Sequence, residues 1–265
     1  MCAGIVIYGT EPNQAASALS MAEDLFRQFG GEVVGASFLK FVVRDGEKFI
    51  DDQEARAADL RGMILNGEVT SFRMYGDEKG DGAPVISFGY NDATYGGLSY
   101  VDIQFYGSIY EMSEEVGEFL GDAPSHLIFK YAIAYDAEKS SVAYKYSTGV
   151  NLIRIFPFEN TSLFTRELPG RVPGSASYEG VKLRMIYPLN VLNEEHLEIR
   201  VNDLSLKEWI ESDSSRGSLK SISNKMWLWS VKETDLPEVN NACGEAGILI
   251  AWQKAPANKP ARKLP

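Results

Sequence analysis

The chain has 265 residues, 45% of them hydrophobic, with 37 acidic residues against 26 basic ones and a formal net charge of −11. This composition is typical of a folded globular protein and excludes a disordered or fibrous chain. The acidic excess disfavours direct binding to nucleic acid, whose phosphates it would repel, and it favours a basic partner, although many proteins are acidic for solubility alone.

The first residues indicate a short strand, a helix and a second strand. The first strand covers residues 4–8, the helix covers residues 15–29 with apolar side chains on one face, and the second strand covers residues 33–43. Gly30 and Gly31 end the helix, because glycine readily adopts the left-handed conformation that closes a helix.

A second helix with an acidic start is predicted before Gly67. Asp51 or Asp52 is placed to cap this helix, since a carboxylate accepts hydrogen bonds from the free N–H groups of the first turn. Glu54 adds negative charge near the positive end of the helix. Asp51, Asp52 and Glu54 therefore form one candidate surface for a basic partner.

Three strands in an antiparallel meander are predicted next. They cover residues 69–75, 85–90 and 98–106, with a polar loop over residues 76–82. One face of the last strand is apolar, and the other is polar and aromatic, with Tyr100, Asp102, Gln104 and Tyr106. That second face either binds a partner or lies beneath a helix, and we favour the covering helix.

A third helix with an acidic face is predicted to begin at Ser108. Ser108 and Glu111 have the spacing of a capping box, and Gly121 ends the helix. Its outward carboxylates form the second candidate surface, which consists of Glu111, Glu114, Glu115 and Glu118. A solvated run of charge is the alternative interpretation of either acidic surface.

The middle of the chain gives weaker signals. Strands are predicted over residues 127–135 and 151–156, and the proline- and glycine-containing connection over residues 166–174 is the candidate boundary between two halves. We nevertheless expect one large domain over residues 1–253. Residues 254–265, with several prolines and basic residues, are interpreted as an extended tail.

The C-terminal part carries the most consistent signals. Residues 181–187 alternate like a strand, and Pro188 is predicted to end it because proline has no N–H group to donate. Ser205 and Glu208 have the spacing of a capping box for a short helix, which is expected to bury Trp209.

A hairpin, a helix and a strand complete this part. Residues 219–222 and 226–231 form the hairpin, and apolar side chains on both faces of its second strand predict a central position in the sheet. A helix from Asp235 to Gly247 and a strand over residues 248–252 follow.

Five short motifs stand at hydrophobic and turn positions of this part: Tyr187-Pro-Leu-Asn190, Leu206 with Trp209-Ile210, Gly217-Ser-Leu219, Leu228-Trp229 and Ala246-Gly-Ile-Leu-Ile250. Their order and spacing resemble the immunity protein 52 family of bacterial polymorphic-toxin systems, best over residues 178–252. Trp209 and Trp229 are interpreted as core anchors rather than ligand contacts. The resemblance implies a toxin/immunity pair of the type VI secretion kind, in which the chain neutralises a restriction-endonuclease-like nuclease by stoichiometric binding.

The sequence shows no catalytic constellation. His126 and His196 have no second histidine or cysteine at metal-ligand spacing, and phosphate-loop, Rossmann and Gly-x-Ser-x-Gly motifs are absent. We therefore expect no enzymatic activity, no cofactor and no metal. The alternative function is that of a hydrolase or small-ligand-binding α+β protein whose site is assembled from scattered acidic and tyrosine residues.

The cysteines and the hydropathy pattern predict a cytoplasmic protein. Cys2 and Cys243 are the two cysteines of the chain, and they give no support to a disulfide framework. No stretch of eighteen apolar residues and no signal-peptide pattern occurs, so we expect no membrane association.

These elements predict an α+β fold, a single large domain with an antiparallel or mixed β-sheet and helices packed on it, because the strands come in runs rather than in regular alternation with helices. The expected partner is a cognate toxin, a basic nuclease, with no direct nucleic-acid contact. The candidate toxin-binding residues are Glu111, Glu114, Glu115, Glu118, Asp51, Asp52 and Glu54.

Overall fold

A computed structural model describes residues 1–79, 83–95, 98–149, 153–163 and 181–254. The strands in these ranges, numbered in chain order, are β1 (Cys2–Tyr8), β2 (Gly35–Arg44), β3 (Glu47–Ala55), β4 (Phe72–Tyr75), β5 (Glu78–Lys79), β6 (Ala83–Pro84), β7 (Ile86–Asn91), β8 (Tyr100–Tyr106), β9 (Tyr131–Ala137), β10 (Leu189–Asn193), β11 (Arg200–Val201), β12 (Leu204–Ser205), β13 (Ser218–Ser221) and β14 (Met226–Ser230).

The α-helices in the same ranges lie between the strands and after the last of them. They are α1 (Ala15–Gln28), α2 (Ala57–Leu65), α3 (Ser113–His126), α4 (Ser140–Ser147), α5 (Glu194–Leu197), α6 (Leu206–Glu211) and α7 (Leu236–Glu245). Residues 161–163 are also helical. Two short 3₁₀ helices cover Ala93–Tyr95 and Ser214–Arg216.

Among the described residues, one ten-stranded sheet organises the molecule, in the order β13-β14-β10-β9-β1-β8-β7-β4-β2-β3. Every pairing in it is antiparallel. β1 lies inside the sheet and pairs along its whole length with β8 on one side and β9 on the other. The expected α+β fold with an antiparallel sheet is confirmed.

Both faces of the sheet are covered, because successive side chains of a strand point to opposite sides. Ile5 of β1 belongs to a core shared with α1, α2 and α3, whereas Val6 belongs to a second core shared with α4, α6 and α7. Since the two cores share one sheet, the described residues form a single domain. The predicted boundary over residues 166–174 and most of the predicted tail, residues 255–265, lie outside the described residues.

Several locally encoded features are confirmed. α1 ends before Gly30, whose φ of 68° is the left-handed conformation. Ser205 and Glu208 form the predicted capping box, with both reciprocal hydrogen bonds. β13 and β14 form the predicted hairpin, and Trp229 is completely buried in it.

The prediction that Asp51, Asp52 and Glu54 form the acidic start of a second helix is wrong, because these residues lie in strand β3. The strand forms because Asp45 and Gly46 both have positive φ angles and close a tight hairpin that pairs β2 with β3. α2 begins after Arg56, and no side chain caps it.

The predicted strand over residues 181–187 is also wrong. In place of a strand, residues 181–187 make one isolated bridge, between Leu183 and Leu249. Pro188 was expected to end a strand, but it directly precedes the strand β10. The side chain of Asn240 supplies the missing partners, since it accepts a hydrogen bond from the N–H of Ile186 and donates one to its carbonyl.

Three smaller corrections concern strand positions near the C-terminus and in the middle of the chain. Residues 248–252 make isolated bridges instead of a strand. β14 is flanked on both sides, but it is second from the sheet edge rather than central. Residues 153–156 contain no strand, and residues 151–152 lie outside the described residues.

The third helix begins later and ends later than predicted. α3 starts at Ser113 and continues past Gly121 to His126, so β9 begins at Tyr131 rather than at residue 127. Ser108 does not cap the helix, because its hydroxyl donates a hydrogen bond to the carboxylate of Asp136 at 2.6 Å. Glu111 consequently precedes the helix instead of belonging to its acidic face.

Candidate functional site

An open groove of ≈ 610 Å³ lies where the end of β9 meets the start of α7. Its volume falls within the range of about 300–1,000 Å³ that is common for ligand sites. The groove is lined by Met1, Ser108, Tyr110, Glu111, Tyr135, Asp136, Ile155, Phe156, Pro157, Phe158, Pro188, Glu233, Leu236 and Pro237. Most of these residues present apolar or aromatic surface.

One wall of the groove is the segment Ile155–Phe158. The rings of Phe156 and Phe158 are stacked, with centroids 5.3 Å apart and an interplanar angle of 9°. Phe156 also packs on the buried ring of Tyr187, with the centroids 5.7 Å apart. These contacts attach an otherwise irregular segment to the core.

Glu159 fixes the end of this wall. It is almost fully buried, and its carboxylate accepts hydrogen bonds from the backbone N–H of Ile155 at 3.1 Å and from the hydroxyl of Tyr146 at 2.8 Å. A buried carboxylate requires such partners, since desolvation without them is costly. The turn between Ile155 and Glu159 is therefore held by the side chain that ends it.

Arg184 provides the compensating positive charge. It is fully buried, its Nη2 lies 3.5 Å from Oε1 of Glu159, and its guanidinium carbon lies 3.6 Å from the centroid of the Tyr146 ring. Its Nη1 donates hydrogen bonds to the hydroxyl of Tyr8 and to the carbonyl of Tyr146. The pair joins the groove wall to β1 and α4.

Tyrosines around this pair remain neutral. Burial raises the pKa values of Tyr135, Tyr146 and Tyr187 well above the usual value for tyrosine. The hydroxyl groups of Tyr146 and Tyr187 lie 2.6 Å apart and share a hydrogen bond. The hydroxyl groups of these three tyrosines have hydrogen-bond partners. Their raised pKa values disfavour the ionised form that would act as a nucleophile.

The opposite wall is built around Asp136 of β9. Its carboxylate accepts hydrogen bonds from the Ser108 hydroxyl at 2.6 Å and from the N–H of Ile109 at 2.7 Å, which fixes the loop after β8. Burial raises the pKa of Tyr110 in this loop, and the negative charges of Glu233 and Asp136 raise it further. Tyr110 is therefore a neutral aromatic side chain.

The groove has a negative electrostatic character. Its lining includes the carboxylates of Glu111, Asp136 and Glu233; among the described residues that line it there is no lysine or arginine, and the basic group is the α-amino group of Met1. Glu111 and Glu233 are exposed. Acidic groups on an apolar, aromatic surface favour a ligand that is both cationic and partly apolar.

The structure does not bring the sequence-predicted residues together. Glu111 lies in the groove, whereas Glu114, Glu115 and Glu118 are exposed on α3, which packs against α1 and β14. The other predicted surface, Asp51, Asp52 and Glu54, lies on β3 at the far edge of the sheet. The two acidic surfaces are therefore separate.

Sequence reasoning missed most of the groove. Tyr110, Asp136 and Glu233 are distant in sequence, and no local pattern connects them. A usable signal was the run Phe156-Pro157-Phe158, because two aromatic residues around a proline are unlikely to be accommodated in a regular strand. We did not use this signal, because the same residues were predicted as a strand over residues 151–156.

A second polar cluster lies on the tyrosine-rich face of β8. Arg73 binds both carboxylate oxygens of the buried Asp102, each at 2.7 Å. α4 packs on β1 and β8 over this face, and its Tyr144 lies over the Arg73 guanidinium, 4.8 Å from it. The expected covering helix is confirmed, and the adjoining cavity of ≈ 80 Å³ is small.

The described residues contain no group of three or more histidine, cysteine, aspartate or glutamate side chains arranged to hold a metal ion. Within the same residues, none of the helices combines the length and the apolar character needed to cross a membrane.

No family model and no curated protein matches the chain. Among solved structures, the fold is similar to that of the Pseudomonas aeruginosa T6SS protein PA0821, with a TM-score of 0.59 over 94% of this chain and 73% of that chain. The two sequences are 12% identical, so the likeness concerns the fold.

Proposed function

We propose that this chain is an immunity protein that binds and neutralises a cognate antibacterial toxin of a type VI secretion system. The toxin is a nuclease of the restriction-endonuclease fold, and the chain blocks it in the cytoplasm by stoichiometric binding. No catalytic step by the chain is required.

The observation that carries the proposal is the shared fold with a T6SS protein over 94% of this chain. The resemblance of residues 178–252 to the immunity protein 52 family points independently to the same kind of system. The fold likeness includes those residues and extends over most of the remaining chain.

The charge of the chain suits this role. A nuclease presents positive charge where it holds phosphates, and an inhibitor with a net charge of −11 approaches such a surface rapidly. Carboxylates on the inhibitor then occupy positions that phosphates would take. Exposed glutamates on α3 and at the groove are available for such contacts.

The test uses the protein encoded next to this chain. Co-expression with a toxin-like neighbouring product is expected to restore growth of intoxicated cells, and the purified proteins are expected to form a complex of fixed stoichiometry by light scattering. The nuclease activity of the toxin should fall in proportion to added chain and reach zero at that stoichiometry. If no neighbouring frame encodes a toxin-like domain and no candidate nuclease is neutralised, the proposal fails.

A further inference from the structure

We infer that the groove between β9, α7 and the Ile155–Phe158 segment receives an arginine side chain, presented by a short basic segment of the partner protein. The inference rests on the proposed function, because it takes that partner to be the cognate toxin. It assigns the docking site to a groove that contains one residue of the predicted acidic surfaces, Glu111, and that excludes Glu114, Glu115 and Glu118 of α3 and the β3 surface.

The aromatic lining suits a guanidinium group. Phe156 and Phe158 stand as a stacked pair in one wall, and the neutral Tyr110 lies in the other. A planar guanidinium stacks on such rings, is more weakly hydrated than an ammonium group, and has an apolar stem that suits Leu236 and Pro237. The lining therefore favours arginine over lysine.

The carboxylates are available for a new cation. The two hydrogen bonds to Asp136 hold it in place, whereas the side chains of Glu111 and Glu233 make no ion pair or hydrogen bond with the described residues. Both glutamates are exposed at the groove. An arginine in the groove would find both carboxylates in its lining and could form charge-assisted hydrogen bonds without displacing an existing pair.

The negative charge of the groove also favours a basic segment over two other occupants, a second copy of this chain and a neutral small molecule. A second copy of this chain carries the same net charge of −11 and the same acidic groove, so its approach is disfavoured. A neutral small molecule would leave the carboxylates of Glu111 and Glu233 without a cationic partner. The volume of ≈ 610 Å³ accommodates more than one side chain, which is why the occupant is a segment rather than an isolated residue.

The first experiment measures binding of a small probe by NMR. N-acetyl-arginine methylamide is titrated into the full chain, with the neutral isostere N-acetyl-citrulline methylamide as the matched ligand control. The arginine probe is expected to shift resonances of Tyr110, Phe156 and Phe158 and to saturate, while the citrulline probe does not. Equal binding of both probes, or arginine-induced shifts confined to other surfaces, overturns the inference.

Variants with the same charge change separate the groove from the rest of the acidic surface. The double substitution Glu111→Gln with Glu233→Gln is expected to weaken the arginine probe about tenfold, because it removes two charge-assisted contacts. The control, Glu114→Gln with Glu118→Gln on α3, should leave the affinity unchanged. An equal loss in both variants indicates general attraction to negative charge and overturns the inference.

Basic residues near the C-terminus of the chain could compete with the partner's arginine for the groove. Arg262→Gln with Lys263→Gln should not change the affinity of the probe. A gain in affinity would mean that the chain's own terminal residues occupy the groove, which contradicts a site for a partner.

The toxin distinguishes this inference from the proposed function. The groove variant is expected to lose affinity for the toxin and to protect cells less well, while the α3 control protects like the unsubstituted chain. If both variants protect equally, the groove inference is wrong and the immunity function stands. If the unsubstituted chain neutralises no toxin, the function fails, whatever the probe does.

Discussion

Nη2 of Arg184 lies 3.5 Å from Oε1 of Glu159, and both side chains are completely or almost completely buried. The pair connects the irregular segment that walls the groove to β1 and α4, through the Tyr8 hydroxyl and the Tyr146 carbonyl. Breaking a buried pair leaves an uncompensated charge in the core, so this contact is coupled to both stability and the shape of the groove.

Substituting one member of the pair should destabilise the fold strongly. Arg184→Met or Glu159→Gln is expected to cost about 3–5 kcal/mol in the free energy of unfolding, because the remaining polar group stays buried without its partner. Urea denaturation measures this cost. Arg184→Met combined with Glu159→Gln should cost clearly less than the sum of the two single substitutions.

The exposed pair Lys225–Glu194, with its charged atoms 3.3 Å apart, is the control. Removing it should change the free energy of unfolding by less than about 1 kcal/mol, because solvent screens both charges. Additive single effects at Arg184 and Glu159 would contradict the coupling.

Trp229→Ala should be among the most destabilising single substitutions in the hairpin. The side chain is fully buried and its indole N–H donates to the carbonyl of Arg216 at 2.8 Å. A loss of about 3–5 kcal/mol is expected from the cavity and the lost hydrogen bond. Thermal and urea unfolding measure the loss, with Trp227→Ala as the control, because Trp227 is partly exposed on the same strand. A loss below about 1 kcal/mol would contradict the packing described for β14.

The stability should fall as the pH decreases through the range in which His196 titrates in the unfolded chain. Burial lowers the pKa of His196 from 6.5 to about 4. Between these values the unfolded chain binds a proton that the folded chain does not, so stability is complete above about pH 6.5 and falls towards pH 4, by roughly 3 kcal/mol from this group.

His196→Gln tests this assignment, because glutamine suits the N3 position of the capping box that Asn193 and His196 form. Urea unfolding between pH 7 and pH 4 should show a smaller acid loss for this variant. An unchanged acid loss in His196→Gln would assign the effect to other groups.

Charge reversal on α3 tests the acidic surface that the sequence suggested. Replacing Glu114, Glu115 and Glu118 by lysine should slow association with the cognate toxin by about tenfold at low salt, and by less at high salt, because long-range attraction steers the encounter even where the surface makes no contact in the complex. Stopped-flow or surface-based kinetics measure the rates, with circular dichroism as the control for folding. An unchanged on-rate and salt dependence would show that the carboxylates of α3 do not steer the encounter.

Patterns contained within a few residues predicted structure well. The capping box of Ser205 and Glu208, the glycine at the end of α1 and the alternation of the β13–β14 hairpin act through contacts between near neighbours in sequence. The same spacing at Ser108 and Glu111 gave no capping box, because the Ser108 hydroxyl donates instead to the distant Asp136. The α+β class followed from the local patterns, because runs of strands separated by amphipathic helices leave few other arrangements.

The elements that sequence reasoning missed depend on distant partners. The backbone of Ile186 is satisfied by the side chain of Asn240, 54 residues away, so an alternating segment forms no strand. β3 is mostly polar and exposed. Its residues were therefore interpreted as the acidic start of a helix, and its pairing with β2 was not predicted. Local propensity was overridden in both places by hydrogen bonds made elsewhere.

The sequence by itself determined the acidity of the chain, the end of α1, the capped start of α6, the main hairpin and the class of fold. Only the tertiary structure brought Tyr110, Asp136, Phe156 and Glu233 into one groove and separated them from the glutamates of α3. The physical reason is that charge and periodicity are properties of a segment, whereas a groove is a property of the spaces between segments. Those spaces are fixed by how β9, α7 and the Glu159-anchored wall pack together.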